Sequence, residues 1–235
     1  MKKRRIWLIP LLLVALLATA FFIYTGVYYR ADATATAALA SDNAVTVERT
    51  GYGWRFDGPS ETDALIFYPG GKVEATAYAP LLRRVAEGGM DVCLAEMPFR
   101  LAVFGMGRAH AVMAAHRYDR WYIGGHSLGG AMAASYAAAH PKGLSGVALL
   151  AAYPTKPLDD ALILLSIYGT EDGVLNRAKL VDGARFAPPD HREYIIDGGN
   201  HAQFGNYGRQ KGDGEAAIPA DEQQRQTAEY ILQLM

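Results

Sequence analysis

The chain has 235 residues, of which 51% are hydrophobic and 20% are charged, and its formal net charge is −1. This length suits one globular domain whose core needs no disulfide or metal to support it. A net charge near zero argues against a nucleic-acid-binding protein, which needs a basic surplus for phosphate contacts. Cys93 is the single cysteine, so the chain forms no internal disulfide and no cysteine-based metal cluster.

The N-terminus has the pattern of a membrane-targeting segment. A Lys-Lys-Arg-Arg run at residues 2–5 precedes an uncharged, mostly apolar stretch from residue 6 to residue 29. About 20 apolar residues in a helix span a bilayer core, whereas the apolar part of a cleaved signal peptide usually has about 7–15. The sequence therefore predicts an uncleaved signal anchor over residues 1–30. Tyrosines that fit an interfacial aromatic belt lie near its outer end, at Tyr24, Tyr28 and Tyr29.

The charge distribution also predicts which side of the membrane holds the domain. Basic residues stay on the cytoplasmic side, so the chain from about residue 31 is expected on the extracytoplasmic side. Cleavage and secretion remain an alternative, because small-residue sites occur at 33–35 and 38–40. No cysteine lies near the end of the apolar stretch, which excludes a lipid-anchored lipoprotein. Residues 31–43, which begin with an Ala- and Thr-rich run, are predicted to be a linker.

From residue 44 to residue 235, short β-rich runs alternate with helical ones. The predicted strands are 44–50, 53–57, 64–68, 91–97, 120–124, 146–152, 162–168 and 193–197, and the predicted helices are 75–87, 101–116, 128–140 and 223–234. The first two strands alternate in polarity, as in a hairpin at a sheet edge, whereas the later ones are continuous apolar runs typical of strands covered on both faces. This alternation predicts an α/β fold with a mostly parallel sheet and helices on both faces. The Gly-rich run 205–214 is predicted to be a loop.

The sequence Gly-His-Ser-Leu-Gly at residues 125–129 lies between a predicted strand and a predicted helix. G-x-S-x-G in this context is typical of a nucleophile elbow, a sharp turn that projects the Ser127 hydroxyl above the edge of the sheet. Gly125 and Gly129 remove side chains that would collide at the turn. The N-terminus of the following helix favours developing negative charge. Ser127 is therefore the candidate nucleophile; the alternative is a glycine-rich turn with an incidental serine.

A nucleophilic serine needs a histidine base and an acidic residue that orients the base. In this topology the acid and then the histidine follow the serine, each in a loop after a later strand. Such loops contain Glu171 and Asp172 and, further along the chain, His201. We favour Asp172 over Glu171, because a shorter side chain followed by Gly173 suits a tight loop.

His201 is one of six histidines, and the positions of the others argue against them as the base. Those that fall on predicted helices or at their ends are His110, His116 and His140. His191 precedes its predicted strand and so lies at the opposite end of the sheet. His126 adjoins Ser127 but cannot reach around the elbow.

The oxyanion formed in acyl transfer needs two backbone N–H donors. One comes from the residue after the serine, which is Leu128. The other comes from a loop after an earlier strand, here the Pro-Gly-Gly-Lys sequence at 69–72. Gly71 is our first choice and Lys72 the alternative; an ordinary glycine turn is the other interpretation.

Together these loops resemble those of the α/β-hydrolase superfamily, in particular its small lidless branch of dienelactone-hydrolase-like esterases. The matching runs are at residues 68–73, 124–130, 168–173 and 198–201. The resemblance covers about residues 44–235. It implies an eight-stranded sheet, a triad of Ser127, His201 and Asp172, oxyanion donors at Gly71 and Leu128, and no metal or organic cofactor.

Two departures from that branch bear on the substrate. Dienelactone hydrolases use a cysteine nucleophile, whereas this chain has Ser127, so a lactone substrate is not carried over. The serine elbow is more similar to those of esterases and lipases. Residues 154–160 also leave no room for a cap domain, and an open site favours small or surface-presented acyl substrates.

The sequence thus predicts a membrane-anchored extracytoplasmic serine hydrolase that cleaves a carboxylic ester through an acyl-enzyme. Its expected partners are a small-molecule acyl substrate and, through the N-terminal helix, the membrane. Two alternatives stay open: a non-catalytic envelope binding module on the same fold, and an acyltransferase that uses the same triad.

Overall fold

Helix α1 (Leu8–Gly26) begins the described part of this computed structural model, which comprises residues 8–59 and 61–235. The helix is long and apolar enough to span a membrane or to serve as a signal sequence, and its side chains are mostly exposed. The basic run at residues 2–5, from which the sidedness was predicted, lies outside the described residues. The predicted apolar stretch reaches residue 29, but the helix ends at Gly26.

Eight strands form one sheet in the order β1-β2-β4-β3-β5-β6-β7-β8. Their bounds are Thr46–Arg49 (β1), Gly53–Asp57 (β2), Asp63–Tyr68 (β3), Asp91–Ala95 (β4), Arg120–His126 (β5), Gly146–Leu150 (β6), Ile163–Gly169 (β7) and Asp190–Ile196 (β8). Strands β1 and β2 form an antiparallel hairpin at one edge, and β2 is also antiparallel to β4. All pairs from β4 to β8 are parallel. The mostly parallel sheet and its edge hairpin are confirmed, and the sheet as a whole is mixed.

Helices cover both faces of the sheet, as predicted. After α1 they are α2 (Ala33–Ala37), α3 (Ala79–Glu87), α4 (Arg108–Ala115), α5 (Leu128–Ala139), α6 (Arg177–Gly183) and α7 (Ala220–Ile231). Alternate side chains of a strand point to opposite faces, so Leu65 and Phe67 pack with α3 and α7, whereas Ala64, Ile66 and Tyr68 pack with α4 and α5. The chain between β6 and β7, residues 151–162, contains no helix or strand. The expected absence of a cap at this position agrees with that connection.

Several element boundaries differ from the predicted ones. The predicted helix 101–116 is a 3₁₀ turn (Ala102–Phe104) followed by α4, because Gly105 and Gly107 interrupt it. Helix α6 was not predicted, although Asn176 caps it by accepting the Lys179 N–H. Strand β8 begins at Asp190, so the prediction that His191 precedes the strand is wrong; it lies at the strand's amino end.

Residues 31–43, predicted as a linker, fold against the domain. The Asp32 carboxylate caps α2 by accepting the Ala35 N–H, and the Ala35 side chain is buried. The Arg83 guanidinium of α3 donates to the carbonyls of Ala38 and Ala40 at 3.3 and 2.6 Å. The segment between α1 and the sheet is therefore fixed to the domain at several points.

Candidate active site

Ser127 stands on the turn between β5 and α5. Its φ of 53° and ψ of −121° are in a region that non-glycine residues rarely adopt, as expected of a strained nucleophile turn. Strand β3 passes so close that a Cβ added at Gly125 or Gly129 would collide with the carbonyl oxygen of Tyr68. The glycines on both sides of Ser127 are thus required by the approach of the neighbouring strand.

His201 and Asp172 come from the loops after β8 and β7, and they meet beside Ser127. The His201 Nδ1–H donates to Asp172 Oδ2 at 2.9 Å, and both side chains are buried. The other carboxylate oxygen of Asp172 accepts the N–H groups of Val174 and Leu175, at 2.9 and 2.7 Å. Glu171 instead has an exposed carboxylate that accepts a hydrogen bond from the Thr170 hydroxyl. Of the two predicted acids, Asp172 is the one that contacts His201.

The electrostatics of this pair favour an ionised acid. Burial alone raises the pKa of Asp172, but the hydrogen bond from His201, the charge of a protonated His201 and the two backbone N–H groups together lower it below its ordinary value. An ionised Asp172 fixes the proton of neutral His201 on Nδ1. The Nε2 atom of His201 is then a free acceptor.

That Nε2 atom is buried and has no hydrogen-bond partner among the described residues. His201 and Ser127 line the same cavity of about 270 Å³. The remaining lining residues are mostly apolar and comprise Leu128, Ala131, Ala151, Ala152, Tyr153, Val174, Leu175 and Asn176. An unpartnered acceptor on a histidine that shares a cavity with a strained serine makes His201 the candidate base for Ser127.

The loop after β3 lies against the start of α5. A Cβ at Gly71 would lie 2.9 Å from Leu128 Cδ2, so the two predicted oxyanion donors are neighbours. The Gly70 N–H donates to the Tyr78 hydroxyl at 3.0 Å, and the Lys72 N–H donates to the Arg100 carbonyl at 2.8 Å. Because both flanking N–H groups are engaged, the Lys72 alternative is not available, which leaves Gly71 as the candidate in this loop.

Sequence reasoning missed Tyr78, which lies in the 3₁₀ turn before α3. Its hydroxyl lies 2.7 Å from Nδ1 of His126. The Tyr78 oxygen accepts a hydrogen bond from the Gly70 N–H, and burial raises the pKa of Tyr78, so its hydroxyl stays protonated. That hydroxyl therefore donates to His126 Nδ1. The His126 ring in turn lies 4.4 Å from the His201 ring, centroid to centroid. His126 therefore packs against the ring of the candidate base, which its position beside Ser127 in the sequence did not indicate.

Asp213, in the Gly-rich run 205–214, was also missed. Its carboxylate accepts the N–H groups of His201 and Ala202, at 3.2 and 2.8 Å, and that of Gly173 at 3.2 Å. It thereby joins the loops that carry His201 and Asp172. Nothing in the sequence signals this role, because Asp213 reaches His201 and Gly173, 12 and 40 positions away, only through the tertiary fold.

The other histidines lie away from Ser127. His116 bonds the Tyr52 hydroxyl at 2.9 Å, and His191 bonds the Ser166 hydroxyl at 3.0 Å. The rings of His110 and His140 pack against each other at 4.7 Å. None of the four lines the cavity that contains Ser127.

A sequence model of the alpha/beta hydrolase family matches residues 64–225, which is most of the chain. The chain belongs to the alpha/beta hydrolase family. The predicted superfamily is thus confirmed, and the eight-stranded sheet of this hydrolase is the fold that the resemblance implied. No curated protein sequence matches the hydrolase.

Solved structures similar to the hydrolase share its fold at low sequence identity. A membrane phospholipase A, described as a bacterial virulence factor, has a TM-score of 0.61 and 15% identity, covering 100% of this chain and 98% of its own. Dienelactone hydrolase from Anabaena variabilis has a TM-score of 0.56 and 13% identity, covering 83% of this chain and 98% of its own. An esterase from Mycobacterium tuberculosis has a TM-score of 0.56 and 13% identity, with coverages of 84% and 93%. At such identities the likeness concerns the fold.

Proposed function

We propose that this hydrolase cleaves carboxylic esters through an acyl-enzyme formed on Ser127. One observation carries the proposal. His201 donates through Nδ1 to a buried Asp172 at 2.9 Å, its Nε2 is unpartnered among the described residues, and its side chain lines the same cavity as Ser127. These features support a catalytic triad of Ser127, His201 and Asp172. Esterases among the similar folds support the choice of an ester substrate.

In the first half of the proposed reaction, His201 Nε2 takes the proton of the Ser127 hydroxyl as Oγ attacks the carbonyl carbon of the ester. The carbonyl oxygen becomes an oxyanion, which accepts the N–H groups of Leu128 and Gly71. When the intermediate collapses, the carbon–oxygen bond to the alcohol breaks. The alkoxide takes the proton from His201 and leaves, and the acyl group stays on Ser127.

In the second half, a water molecule gives a proton to His201 and attacks the acyl carbon. The same two N–H groups hold the second oxyanion. The bond to Ser127 Oγ then breaks, Oγ recovers its proton from His201, and the carboxylic acid leaves. Asp172 stays ionised in both halves and stabilises the imidazolium form of His201, which its lowered pKa allows.

We also propose that α1 remains attached and anchors the hydrolase domain on the extracytoplasmic side. The basic run at residues 2–5 supports the orientation. Both small-residue cleavage sites lie in the folded segment of residues 31–43. Ala35 is buried in α2, and Arg83 binds the carbonyls of Ala38 and Ala40. Cleavage at either site would also remove Tyr29, which pairs with Val73, so the packing of this segment on the domain supports retention of α1.

A fluorophosphonate probe on the full-length protein in detergent tests the mechanism. The expected result is one covalent adduct by intact mass, absent from Ser127→Ala and formed much more slowly by His201→Ala. Circular dichroism of the variants controls for folding. If the folded wild-type protein forms no adduct, the triad mechanism is contradicted and the result favours the alternative of a non-catalytic binding module.

A further inference from the structure

We propose that an exposed apolar cluster beside the active site contacts the bilayer that holds α1, and that the substrates of Ser127 are acyl esters of lipids in that bilayer. The cluster, called here the apolar rim, consists of Phe99, Val103, Phe104 and Met106. The proposal rests on the serine-hydrolase mechanism and the anchoring proposed above.

The apolar rim is exposed although its side chains are large and hydrophobic. The exposed fractions are 43% for Phe99, 50% for Val103, 53% for Phe104 and 37% for Met106. All of them lie between the carboxyl end of β4 and the start of α4. Clustered exposed apolar side chains mark a surface that binds another molecule or a membrane.

The last turns of α1 pack directly on this rim. The Phe21 ring lies 5.0 Å from that of Phe99 and 5.8 Å from that of Phe104, in edge-to-face geometry, and Phe22 also contacts Phe99. If α1 spans the bilayer, its end lies near the boundary between acyl chains and headgroups. The side chains that touch that end therefore lie at the same depth.

The connection from α1 to the domain is too short to hold the rim away from the membrane. Helix α1 ends at Gly26, and Tyr29 already pairs with Val73. Three residues reach only about 10 Å when fully extended. The Tyr29 N–H donates to the Lys72 carbonyl at 2.8 Å, and its carbonyl accepts the Glu74 N–H at 2.9 Å. The domain is thus fixed to the end of its own anchor.

Cations lie at the level where lipid phosphates are expected. The Lys72 ammonium lies 4.0 Å from the ring centroid of Tyr24, and the Arg100 guanidinium lies 3.4 Å from that of Tyr28. Tyrosines of this kind occupy the headgroup region, and basic side chains beside them favour anionic lipids. The combination fits a phospholipid surface better than it fits an apolar protein partner.

The backbone at the rim is strained. Phe99 and Arg100 are consecutive non-glycine residues with positive φ, 54° and 58°. This turn places the Phe99 ring against α1 and directs the Arg100 carbonyl to the Lys72 N–H at 2.8 Å. Strain of this kind persists where surrounding contacts require it, and it often accompanies function. One turn therefore contacts both the anchor and the loop that holds Gly71.

The active site lies immediately behind this surface. Lys72, which contacts Tyr24 of α1, adjoins Gly71, and Gly71 packs against Leu128 next to Ser127. The triad therefore lies at the carboxyl ends of the strands, and α1 leaves the domain at that same end of the sheet. A lipid ester lying in the same leaflet is the substrate that this placement favours, and the similar fold of a membrane phospholipase A supports that class.

Depth-dependent quenching tests the membrane contact with the full-length protein. Val103→Cys, labelled with the fluorophore NBD, is placed in vesicles of phosphatidylcholine and phosphatidylglycerol that contain nitroxide-labelled acyl chains. Val181→Cys is the matched control, because Val181 is 74% exposed on α6, beside β7 and β8 and away from β4. Buried Cys93 stays in place, and labelled wild-type protein measures its background.

We expect nitroxide lipids to quench the fluorophore at position 103 at least fivefold more than at position 181. Equal, weak quenching at both positions would overturn the proposal. A fluorophore at 103 that is unquenched by lipid, yet buried in a concentration-dependent manner in detergent, would identify a second copy as the occupant and would overturn it too.

The substrate class is tested in the same vesicles by mass spectrometry of released fatty acids. We expect release from phosphatidylglycerol that requires Ser127 and falls at least tenfold in Phe104→Ser, with Val181→Ser as the control. A protein that forms the fluorophosphonate adduct and hydrolyses p-nitrophenyl butyrate, but releases no fatty acid from the vesicles, would refute the lipid substrate alone. Failure to form the adduct would refute the hydrolase mechanism itself.

Discussion

The ring centroids of His126 and His201 lie 4.4 Å apart. The buried His126 ring thus packs against the ring of His201, which serves as the base in the proposed mechanism. Burial lowers the pKa of His126 well below its ordinary value, and the nearby His201 lowers it further. His126 therefore stays neutral. Its ring thus places no second positive charge beside the imidazolium that the proposed mechanism forms on His201.

The low pKa of His126 predicts a stability change with pH. The unfolded chain binds a proton at this position below about pH 6.5, whereas the folded protein does not, so stability is lost as the pH falls from that value towards the folded pKa. The loss is on the order of 1 kcal/mol over the first pH unit below 6.5. Between pH 7.5 and 5.5 the thermal midpoint in detergent should fall about 3–6 °C more for the wild type than for His126→Asn.

The comparison with His126→Asn isolates this group. Burial also lowers the pKa values of His116 and His191, but both residues are present in the wild type and in the variant, so their contributions cancel. Parallel pH profiles of the two midpoints would contradict the assignment of a neutral His126.

Asp172→Asn should lower kcat by about 10³–10⁴, because a neutral amide cannot stabilise the imidazolium and favours the wrong tautomer of His201. Glu171→Gln is the matched control, since it makes the same change one residue earlier on an exposed side chain. Steady-state hydrolysis of p-nitrophenyl butyrate measures both. A larger loss in Glu171→Gln would reassign the acid.

Tyr78→Phe removes the hydroxyl that accepts the Gly70 N–H and donates to His126 Nδ1. Two buried polar groups lose a partner, which should cost about 1–3 kcal/mol of unfolding free energy. The His126 ring and the Gly71 loop also lose a restraint, so kcat should fall roughly tenfold while KM changes little. The variant needs urea unfolding in detergent beside the kinetics.

Tyr207→Phe is the control for that variant. The Tyr207 ring lies 6.3 Å from the Tyr78 ring, but its hydroxyl donates to Gln210 at 3.1 Å and not to His126 or to a residue of the triad. We expect kcat within twofold of the wild type. An equal loss of kcat in both variants would assign the effect of Tyr78→Phe to general packing.

Gly71→Ala places a methyl group 2.9 Å from Leu128 Cδ2, so the loop or the side chain must shift. A shift of either N–H donor weakens the oxyanion site, and kcat should fall about 10–100-fold. Gly107→Ala is the control, because a Cβ there meets no atom within 4 Å and φ is −79°. Unchanged kcat in Gly71→Ala would move the second donor elsewhere.

Much of the fold follows from the sequence because buried parallel strands leave a direct signal. Strand β6, for example, was predicted from the apolar run at 147–150, and all its residues are buried. The strand–serine–helix arrangement likewise predicted the position of Ser127. Helix α6 left no comparable signal, since it is short and packs only part of its surface.

The supporting contacts of the site could not be predicted in this way. Tyr78 lies 48 positions from His126, and Asp213 lies 12 positions from His201, so neither bond corresponds to a local spacing. The apolar rim was misinterpreted for a related reason. Val103, Phe104 and Met106 fit the apolar pattern of a predicted helix at 101–116, and only the 3₁₀ turn and the glycines after it leave them exposed.

The pairing of Tyr29 with Val73 has a practical consequence for anyone who prepares a soluble form. A fragment that starts at residue 31, where the sequence suggests the anchor ends, removes the partners of the Lys72 carbonyl and the Glu74 N–H, on either side of Val73. It also removes the ring that packs 5.5 Å from Tyr207. A start at residue 27 retains all three contacts and omits the whole of α1. The boundary of the enzyme therefore lies inside the segment that the sequence assigns to the membrane.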